Sequence, residues 1–324
     1  MAELSNWAFP AEMQPNPEEA QFDLETVLNS IVLLRAEVPD DAFTAGILGT
    51  ERIGNGVVIR DDGLVLTIGY LITEATTIWL NTNHGTVVGG FPLAYDQATG
   101  FGLVQPLGRL GIPAVARGSV SSCAIGDDVV VAGQGGLKHA LKAKVIAKRE
   151  FAGYWEYLLD KALYTAPAHP HWSGAALIGG DGRLLGIGSL LVQEEIGGRV
   201  VQGNMIVPID LLEPILGDLV KSGRANRPAR PWLGVYATEV KGHVVVSDVA
   251  RGGPAGRAGV TTGDIVMEVG SERVESLAGF YRKLWALGPA GVVVPLTLVR
   301  EGAVSRVRVE SVDRQELLRK PSLH

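Results

Sequence analysis

Short β-type segments separated by turn residues dominate this chain from residue 31 to residue 220. An Asp-Gly turn at residues 61–63 lies between two segments rich in valine, isoleucine and leucine, and turns at residues 83–85 and 180–182 repeat the pattern. Asp-Gly turns match the twist of a two-stranded hairpin. Many short strands at regular spacing predict a mainly β fold, built as a sandwich or a barrel.

Two helices are predicted at the borders of this β-rich region. Residues 18–29 and residues 208–222 both carry apolar side chains at helical spacing, and Gly223 follows the second segment as a C-cap. Residues 225–231 have the composition of a linker. The predicted organisation is an N-terminal arm with a short helix (1–30), a β-rich domain (31–224), a linker (225–231), a smaller β-rich domain (232–312) and a polar tail (313–324).

Composition excludes several classes of protein. The net charge of −6 and the lack of a long basic run argue against nucleic acid as a partner. No stretch of about 18 apolar residues occurs, so no membrane span is predicted. Residues 1–17 lack the basic and apolar segments of a signal peptide, so we expect a cytoplasmic location. Cys123 is the only cysteine, which excludes an intrachain disulfide, and it is interpreted as a small thiol that is at least half-buried.

Several motifs, in a fixed order along the chain, resemble those of a known protein family. Residues 55–67 are similar to its G-S-G-V-I-I and D-G-Y-I-L-T-N hairpin, and residues 126–133 to its G-D-x-V-x-A-I-G strand. Residues 172–187 resemble N-S-G-G-P-L-V-N-x-x-G-x-V-I-G-I, and residues 204–209 stand where the family has G-x-F-A-I-P. This set of motifs resembles the HtrA/Deg family of proteases. The resemblance, from about residue 45 to residue 312, implies a trypsin-like double six-stranded β-barrel followed by a PDZ domain, with a short N-terminal helical arm.

Three positions of the implied catalytic machinery depart from the family. Tyr70 stands at the histidine of T-N-x-H-V, and Gly100 at the second aspartate of D-x-x-T-D-L-A-L-L. Ser173 retains the nucleophile, but His171 replaces a glycine whose N–H would help form the oxyanion hole. A serine hydroxyl needs an adjacent base, and a phenol with a pKa of about 10 is ionised in only about one molecule in a thousand at pH 7. The resemblance therefore implies a protease fold that has lost proteolysis.

Other histidines offer an alternative base. His169 and His171 flank a proline just before the retained serine. A rearranged loop could bring one of them to the hydroxyl, or both could lie on a solvent-facing loop. Two histidines without a third ligand do not predict a metal site, and no cofactor is predicted. His84, in a hairpin turn, and His139, in a Lys-His loop, are expected to be solvated.

The region after residue 231 resembles a PDZ domain of the same family. Residues 253–269 are similar to its S-P-A-x-x-A-G-L and G-D-x-I-x-x-I-N signature. The resemblance assigns the loop that binds a peptide carboxylate to Trp232, Leu233, Gly234 and Val235. The helix over residues 277–287 should form the other wall of the groove. Its Phe280, Tyr281 and Leu284 either shape the pocket for the last side chain of the peptide or belong to the core.

Three functions follow from these patterns. The first is an inactive protease homologue that binds peptides, protein C-termini or unfolded segments through the PDZ groove and the degenerate substrate cleft. The second is an active serine endopeptidase that uses Ser173 with an unconventional base, and the third is a regulatory subunit of an active relative. Members of the family often form trimers through N-terminal aromatic residues. Here Trp7, Phe9 and Phe22 could serve, or could belong to a loosely packed arm.

Overall fold

The computed structural model describes residues 7–320. The chain divides into two compact units. The first contains the residues up to Arg149, Lys161–Ala225 and the segment from Arg319, and the second contains Glu150–Asp160 and Asn226–Leu318. The short segment Glu150–Asp160 therefore belongs to the second unit, although residues of the first unit flank it on both sides.

The first unit begins with a closed six-stranded barrel in the order β1-β2-β3-β6-β5-β4. Its strands are β1 (Ile31–Glu37), β2 (Glu51–Val58), β3 (Val65–Ile68), β4 (Thr77–Asn81), β5 (Val87–Tyr95) and β6 (Phe101–Pro106). The Asp-Gly hairpin pairs Val57 with Leu66, as the turn residues predict. Buried valine, leucine and isoleucine side chains of the strands form the core of this barrel.

A second closed barrel follows in the order β10-β11-β12-β9-β8-β7. Its strands are β7 (Asp128–Ala132), β8 (Ala140–Gly153), β9 (Tyr157–Ala166), β10 (Ala176–Ile178), β11 (Leu184–Ile196) and β12 (Arg199–Pro208). Leu177 lies between Val131 of β7 and Gly186 of β11. The prediction of a mainly β fold with two six-stranded barrels is thus confirmed.

The second unit is built on a sheet in the order β13-β14-β15-β17-β18, with β16 paired to β15. Its strands are β13 (Val235–Val240), β14 (His243–Val249), β15 (Ile265–Val269), β16 (Glu272–Arg273), β17 (Val293–Arg300) and β18 (Ala303–Glu310). The buried carboxylate of Asp264 accepts hydrogen bonds of 2.7 and 2.8 Å from the Arg300 guanidinium, which ties β17 to the start of β15.

Helices are few and short. The α-helices are α1 (Leu24–Leu28), α2 (Ala45–Leu48), α3 (Glu213–Ser222), α4 (Pro254–Arg257) and α5 (Leu277–Ala286). The 3₁₀ turns are Ala11–Met13, Gly69–Leu71, Val120–Ser122, Gly136–His139, Ile209–Leu211 and Arg314–Leu317. Gly223 adopts a φ of 73° and ends α3, as predicted for a C-cap.

The helix predicted over residues 18–29 is wrong in its extent. Only Leu24–Leu28 is helical. The carboxylate of Asp23 accepts a hydrogen bond of 3.0 Å from the Thr26 N–H and so fixes the start of the helix there. The apolar spacing before Asp23 does not continue the helix, since Phe22 instead lies against Gly182, where an added Cβ would meet its ring.

Candidate functional site

Ser173 lies in the loop between β9 and β10, and β2 holds the backbone of this loop. The Asn55 N–H donates to the Ser173 carbonyl at 2.7 Å, and the Asn55 side-chain amide donates to the His171 carbonyl at 2.9 Å. Gly174 has a φ of 75°, and a Cβ there would lie 1.9 Å from the Asn55 carbonyl oxygen. Only glycine fits this approach, so the turn itself requires glycine at position 174.

Tyr70 faces Ser173 from the 3₁₀ turn that follows β3. Its hydroxyl lies 2.8 Å from Ser173 Oγ and 2.7 Å from the Ser189 carbonyl oxygen. A carbonyl can only accept, and a phenol has one proton, so Tyr70 donates to Ser189. The hydrogen bond between the two hydroxyls then uses the proton of Ser173. Burial raises the pKa of Tyr70 above its usual range, although hydrogen bonds from its neighbours oppose the shift.

Gly100 supplies no side chain to this arrangement. It has a φ of 84° and ends a turn in which the Thr99 N–H and hydroxyl donate to Asp96. The Gly100 carbonyl accepts a hydrogen bond of 2.7 Å from the Gly69 N–H, directly before Tyr70. Gly100 therefore contributes a backbone hydrogen bond to the turn that carries Tyr70. An aspartate at this position would also offer a carboxylate that could orient a partner side chain.

His169 accepts a hydrogen bond from the backbone N–H of His171, the residue that the sequence analysis predicts at the oxyanion-hole position. The His171 N–H donates to His169 Nδ1 at 3.1 Å, and His169 Nε2 lies 3.0 Å from the His139 carbonyl. Because a carbonyl only accepts, Nε2 carries the proton and Nδ1 is the acceptor. Burial lowers the pKa of His169 to about 4, so the ring is neutral at pH 7. Asn204 fixes this residue, since its side-chain oxygen accepts from the His169 N–H at 2.7 Å.

The histidine predictions are wrong for two residues. His169 is fully buried and does not lie on a solvent-facing loop. Both of its ring nitrogens and its backbone carbonyl have hydrogen-bond partners. His139 is half-buried and not solvated, because the ring of Trp7 packs 4.5 Å from it. His171 is half-buried 4.8 Å from the same indole. His84 is exposed, as expected.

A cleft of about 230 Å³ lies beside Ser173. Its walls include Trp7, His139, His171 and Asn55. Within residues 7–320, no group of three or more histidine, cysteine, aspartate or glutamate side chains could hold a metal ion. Over the same residues, no helix is long and apolar enough to span a bilayer.

The loop before β13 also binds a carboxylate, and this carboxylate comes from the chain itself. The N–H groups of Leu233, Gly234 and Val235 donate to Glu156 Oε1 at 3.2, 2.7 and 2.9 Å. Leu233 also lies 3.1 Å from Oε2. Trp232 does not take part through its backbone, because its N–H donates to the Val312 carbonyl at 3.0 Å.

Glu156 was not found by sequence reasoning. It lies 77 residues before Leu233, and its only local signal is a glutamate among the aromatic residues 154–157. Burial raises the pKa of this carboxyl to about 7, although the three N–H donors act in the opposite direction.

The three residues expected to shape a peptide pocket are all fully buried in the core of the second unit. Phe280, Tyr281 and Leu284 of α5 belong to the same apolar cluster as Leu233 and Val235. Tyr281 has a polar role as well, because its hydroxyl donates to the Gly153 carbonyl at 2.7 Å. Phe280 and Leu284 are thus core residues, which is one of the two alternatives that the sequence left open. Their part in peptide binding stays a prediction.

Fold and site together define a class of protein, namely a trypsin-like peptidase domain followed by a PDZ domain. Residues 54–187 match the family model of the trypsin-like peptidase domain, and residues 231–310 match that of the PDZ domain. This pair of domains and the relatives described next confirm the resemblance to the HtrA family that is seen in the sequence.

Curated relatives of the chain are named serine endoproteases. The chain is 24% identical over 272 residues to a probable periplasmic serine endoprotease DegP-like of Halomonas elongata, covering 80% of this chain and 56% of that protein. It is 23% identical to the periplasmic serine endoprotease DegP of Escherichia coli, covering 80% and 56%. It is also 23% identical to the serine endoprotease DegS of Haemophilus influenzae, covering 81% and 77%. The chain thus spans little more than half the length of the DegP-type relatives.

Solved structures share the fold. A serine endoprotease from Yersinia pestis superposes with a TM-score of 0.54 at 20% identity, covering 92% of this chain and 98% of that one. The HtrA-type protease AlgW with a tripeptide superposes with a TM-score of 0.53 at 18% identity, covering 95% and 99%.

The predicted cytoplasmic location is wrong. Relatives from Halomonas elongata, Pseudomonas fulva and Escherichia coli are named periplasmic serine endoproteases, and they point to the periplasm. The error arose because the prediction relied on the first 17 residues alone.

Proposed function

We propose that this HtrA-family chain is a protease homologue without serine-protease activity, which binds peptides or unfolded protein segments. The observation that carries the first part is the direction of the hydrogen bonds at Ser173. The Tyr70 hydroxyl can give its proton to the Ser189 carbonyl, 2.7 Å away, and is then a weak acceptor for the proton of Ser173. No strong base takes the serine proton.

The chemistry of the site supports the same proposal. A base must have a pKa near the working pH to take a proton and return it. Burial raises the pKa of Tyr70 further from neutrality, while His169 has both ring nitrogens engaged and a pKa of about 4. In a well-studied serine protease, loss of the nucleophile or the base lowers turnover by about a millionfold. The His171 N–H, which would stabilise an oxyanion, is already bonded to His169.

Labelling with a fluorophosphonate probe and turnover of casein test the proposal. The purified chain should show neither labelling nor turnover above the Ser173→Ala variant, because the serine is not activated. The double variant Tyr70→His with Gly100→Asp supplies a base and its orienting carboxylate, and we expect it to gain probe labelling. Turnover by the wild-type chain that disappears in Ser173→Ala would instead establish the second candidate, an endopeptidase, which the names of the curated relatives favour.

Peptide binding is the second part of the proposal. A loop of three consecutive N–H donors beside the edge of β13 has the chemistry that binds a terminal carboxylate. The similar structures include an HtrA-type protease with a tripeptide and with a decapeptide. We further propose that the cleft beside Ser173 accepts extended segments, and that the chain forms a homotrimer or regulates an active relative. Trp7 packs against His139 and Phe9 against His169 within the first unit. A trimer contact through these two side chains would therefore require that they leave these ring contacts.

A further inference from the structure

The carboxylate-binding loop of the PDZ domain holds a side chain of the same molecule. Both Glu156 and the loop belong to the second unit. We propose that residues 150–160 are an internal ligand of the PDZ groove, which a carboxylate-bearing peptide must displace in order to bind. This inference rests on the proposed peptide binding, and it specifies the class of ligand and the way in which binding is regulated. Three features of the segment carry it.

The first feature is the completeness of the carboxylate site. Glu156 Oε1 accepts three N–H groups from Leu233, Gly234 and Val235, and the side chain is buried. Successive backbone N–H groups that point at one oxygen form a known type of anion-binding site, and the three donors here have this arrangement. An external carboxylate cannot reach these donors while Glu156 is bound to them.

The second feature is the backbone of the segment, which pairs with the strand that a peptide would use. The Ala237 N–H of β13 donates to the Tyr154 carbonyl at 2.9 Å. The Tyr281 hydroxyl of α5 donates to the Gly153 carbonyl at 2.7 Å and accepts from the Glu156 N–H at 3.2 Å. The segment thus binds both the strand and the helix that border a PDZ groove, as an added peptide strand would.

The third feature is an apolar anchor next to the carboxylate. Leu158 is only 7% exposed and belongs to the apolar cluster that contains Leu233, Val235 and Leu284. Carboxylate and buried apolar side chain together imitate the end of a chain that finishes in an apolar residue. The matching ligand class is therefore a carboxylate beside an apolar side chain, from either a free C-terminus or an internal glutamate turn.

The conformation of Glu156 gives independent support. Its φ is 57°, in the left-handed region that few residues other than glycine adopt. Such a conformation is strained and persists only when surrounding contacts determine it. Arg282 of α5 forms ion pairs with Asp160, at 2.6 Å, and with Glu150. These two contacts hold both ends of the segment. The turn is therefore fixed by its docking.

Fluorescence anisotropy with a labelled short peptide ending in leucine tests the inference on the full chain. The wild type should bind the free-carboxylate peptide weakly, because apparent affinity falls with the fraction of molecules whose groove is open. Glu156→Ala should bind it about tenfold more tightly or better, and should not bind the C-terminal amide of the same peptide. Glu310→Ala, which removes an exposed carboxylate at the end of β18, outside both the segment and the loop, is the matched control and should behave as the wild type.

Two further arms complete the test. An acetylated and amidated peptide with the sequence of residues 150–160 should compete with the labelled peptide on Glu156→Ala, and this separates an internal glutamate from a C-terminus as the ligand. Tyr281→Phe removes a hydroxyl that holds the segment and leaves the loop intact, so it should raise affinity about threefold even if Glu156→Ala folds poorly. Equal affinity of the wild type, Glu156→Ala and Tyr281→Phe would overturn the internal ligand. Absence of binding to every variant would instead remove the proposed peptide binding.

Discussion

At the scale of single residues, Tyr70 and His169 show how hydrogen-bond direction decides chemistry. Each lies near Ser173, and each carries a group that could exchange a proton in another setting. Tyr70 lies 2.7 Å from a carbonyl that can only accept its proton, and His169 lies 3.0 Å from another such carbonyl. Both side chains are therefore held in one protonation state by carbonyl acceptors and by burial.

The buried His169 predicts a loss of stability in acid. Its pKa of about 4 lies below the ordinary value of 6.5, so the folded state binds fewer protons than the unfolded state. The contribution is complete above pH 6.5 and is lost as the pH falls towards 4, at about 3 kcal/mol in total. We expect His169→Gln to flatten this part of the curve of unfolding free energy against pH, measured by urea denaturation. His84→Gln, at an exposed position, should leave the slope unchanged, and an unaltered slope in His169→Gln would contradict the argument.

At the scale of elements, the loop between β9 and β10 depends on its contact with β2. Asn55 donates to the carbonyls of Ser173 and His171, and its own side-chain oxygen accepts from the Gln134 N–H at 2.9 Å. One buried asparagine thus connects β2 to two loops of the second barrel. The geometry around Ser173 is maintained by this packing whether or not the serine reacts.

Gly174→Ala should destabilise the first unit by about 3 kcal/mol or more. The added Cβ would lie 1.9 Å from the Asn55 carbonyl oxygen, at a φ of 75° that alanine avoids. Thermal and urea unfolding measure the loss. Gly180→Ala is the control, because a Cβ at that exposed turn meets nothing within 4 Å and should change stability by no more than about 0.5 kcal/mol. Equal stability of the two variants would show that β2 does not constrain the loop.

At the scale of the whole molecule, burial shifts the pKa of a titratable group in each unit, and the two shifts have opposite directions. His169 in the first unit is neutral because burial lowers its pKa, whereas burial raises the pKa of Glu156 in the second unit to about 7. Tyr281 and Tyr236 face the Glu156 carboxyl along with the guanidinium of Arg314. Acid therefore weakens the first unit and alkali the second.

This difference predicts opposite pH dependence of amide protection in the two units. The contribution of Glu156 is complete below its ordinary pKa of 4.5 and is lost as the pH rises through about 7, by about 3 kcal/mol. Hydrogen exchange followed by mass spectrometry, corrected for intrinsic rates, should show β13 losing protection between about pH 4.5 and 7, whereas the β9–β10 loop should gain protection between about pH 4 and 6.5. Glu156→Gln should abolish the change in β13 only. Parallel changes in both units would refute the assignment.

The sequence by itself determined the architecture and, through the resemblance to the HtrA/Deg family, predicted where the catalytic machinery departs from the family pattern. Alternating apolar residues and Asp-Gly turns specify paired strands locally, and the order of motifs assigns Tyr70, Gly100 and Ser173 to adjacent elements. The same local reasoning overextended the first helix, because the Asp23 cap overrides the apolar spacing that precedes it.

Only the tertiary structure decided which groups are bound to which. The hydrogen bonds of His169, Tyr70 and Glu156 all join residues that are far apart in the chain. The largest of these separations, between Tyr70 and Ser189, is 119 positions. Periodicity and turn chemistry act over a few residues and carry no information on such pairs. Their partners are selected when the barrels close and bring buried donors and acceptors together, because an unpaired polar group inside a protein costs about 1–3 kcal/mol.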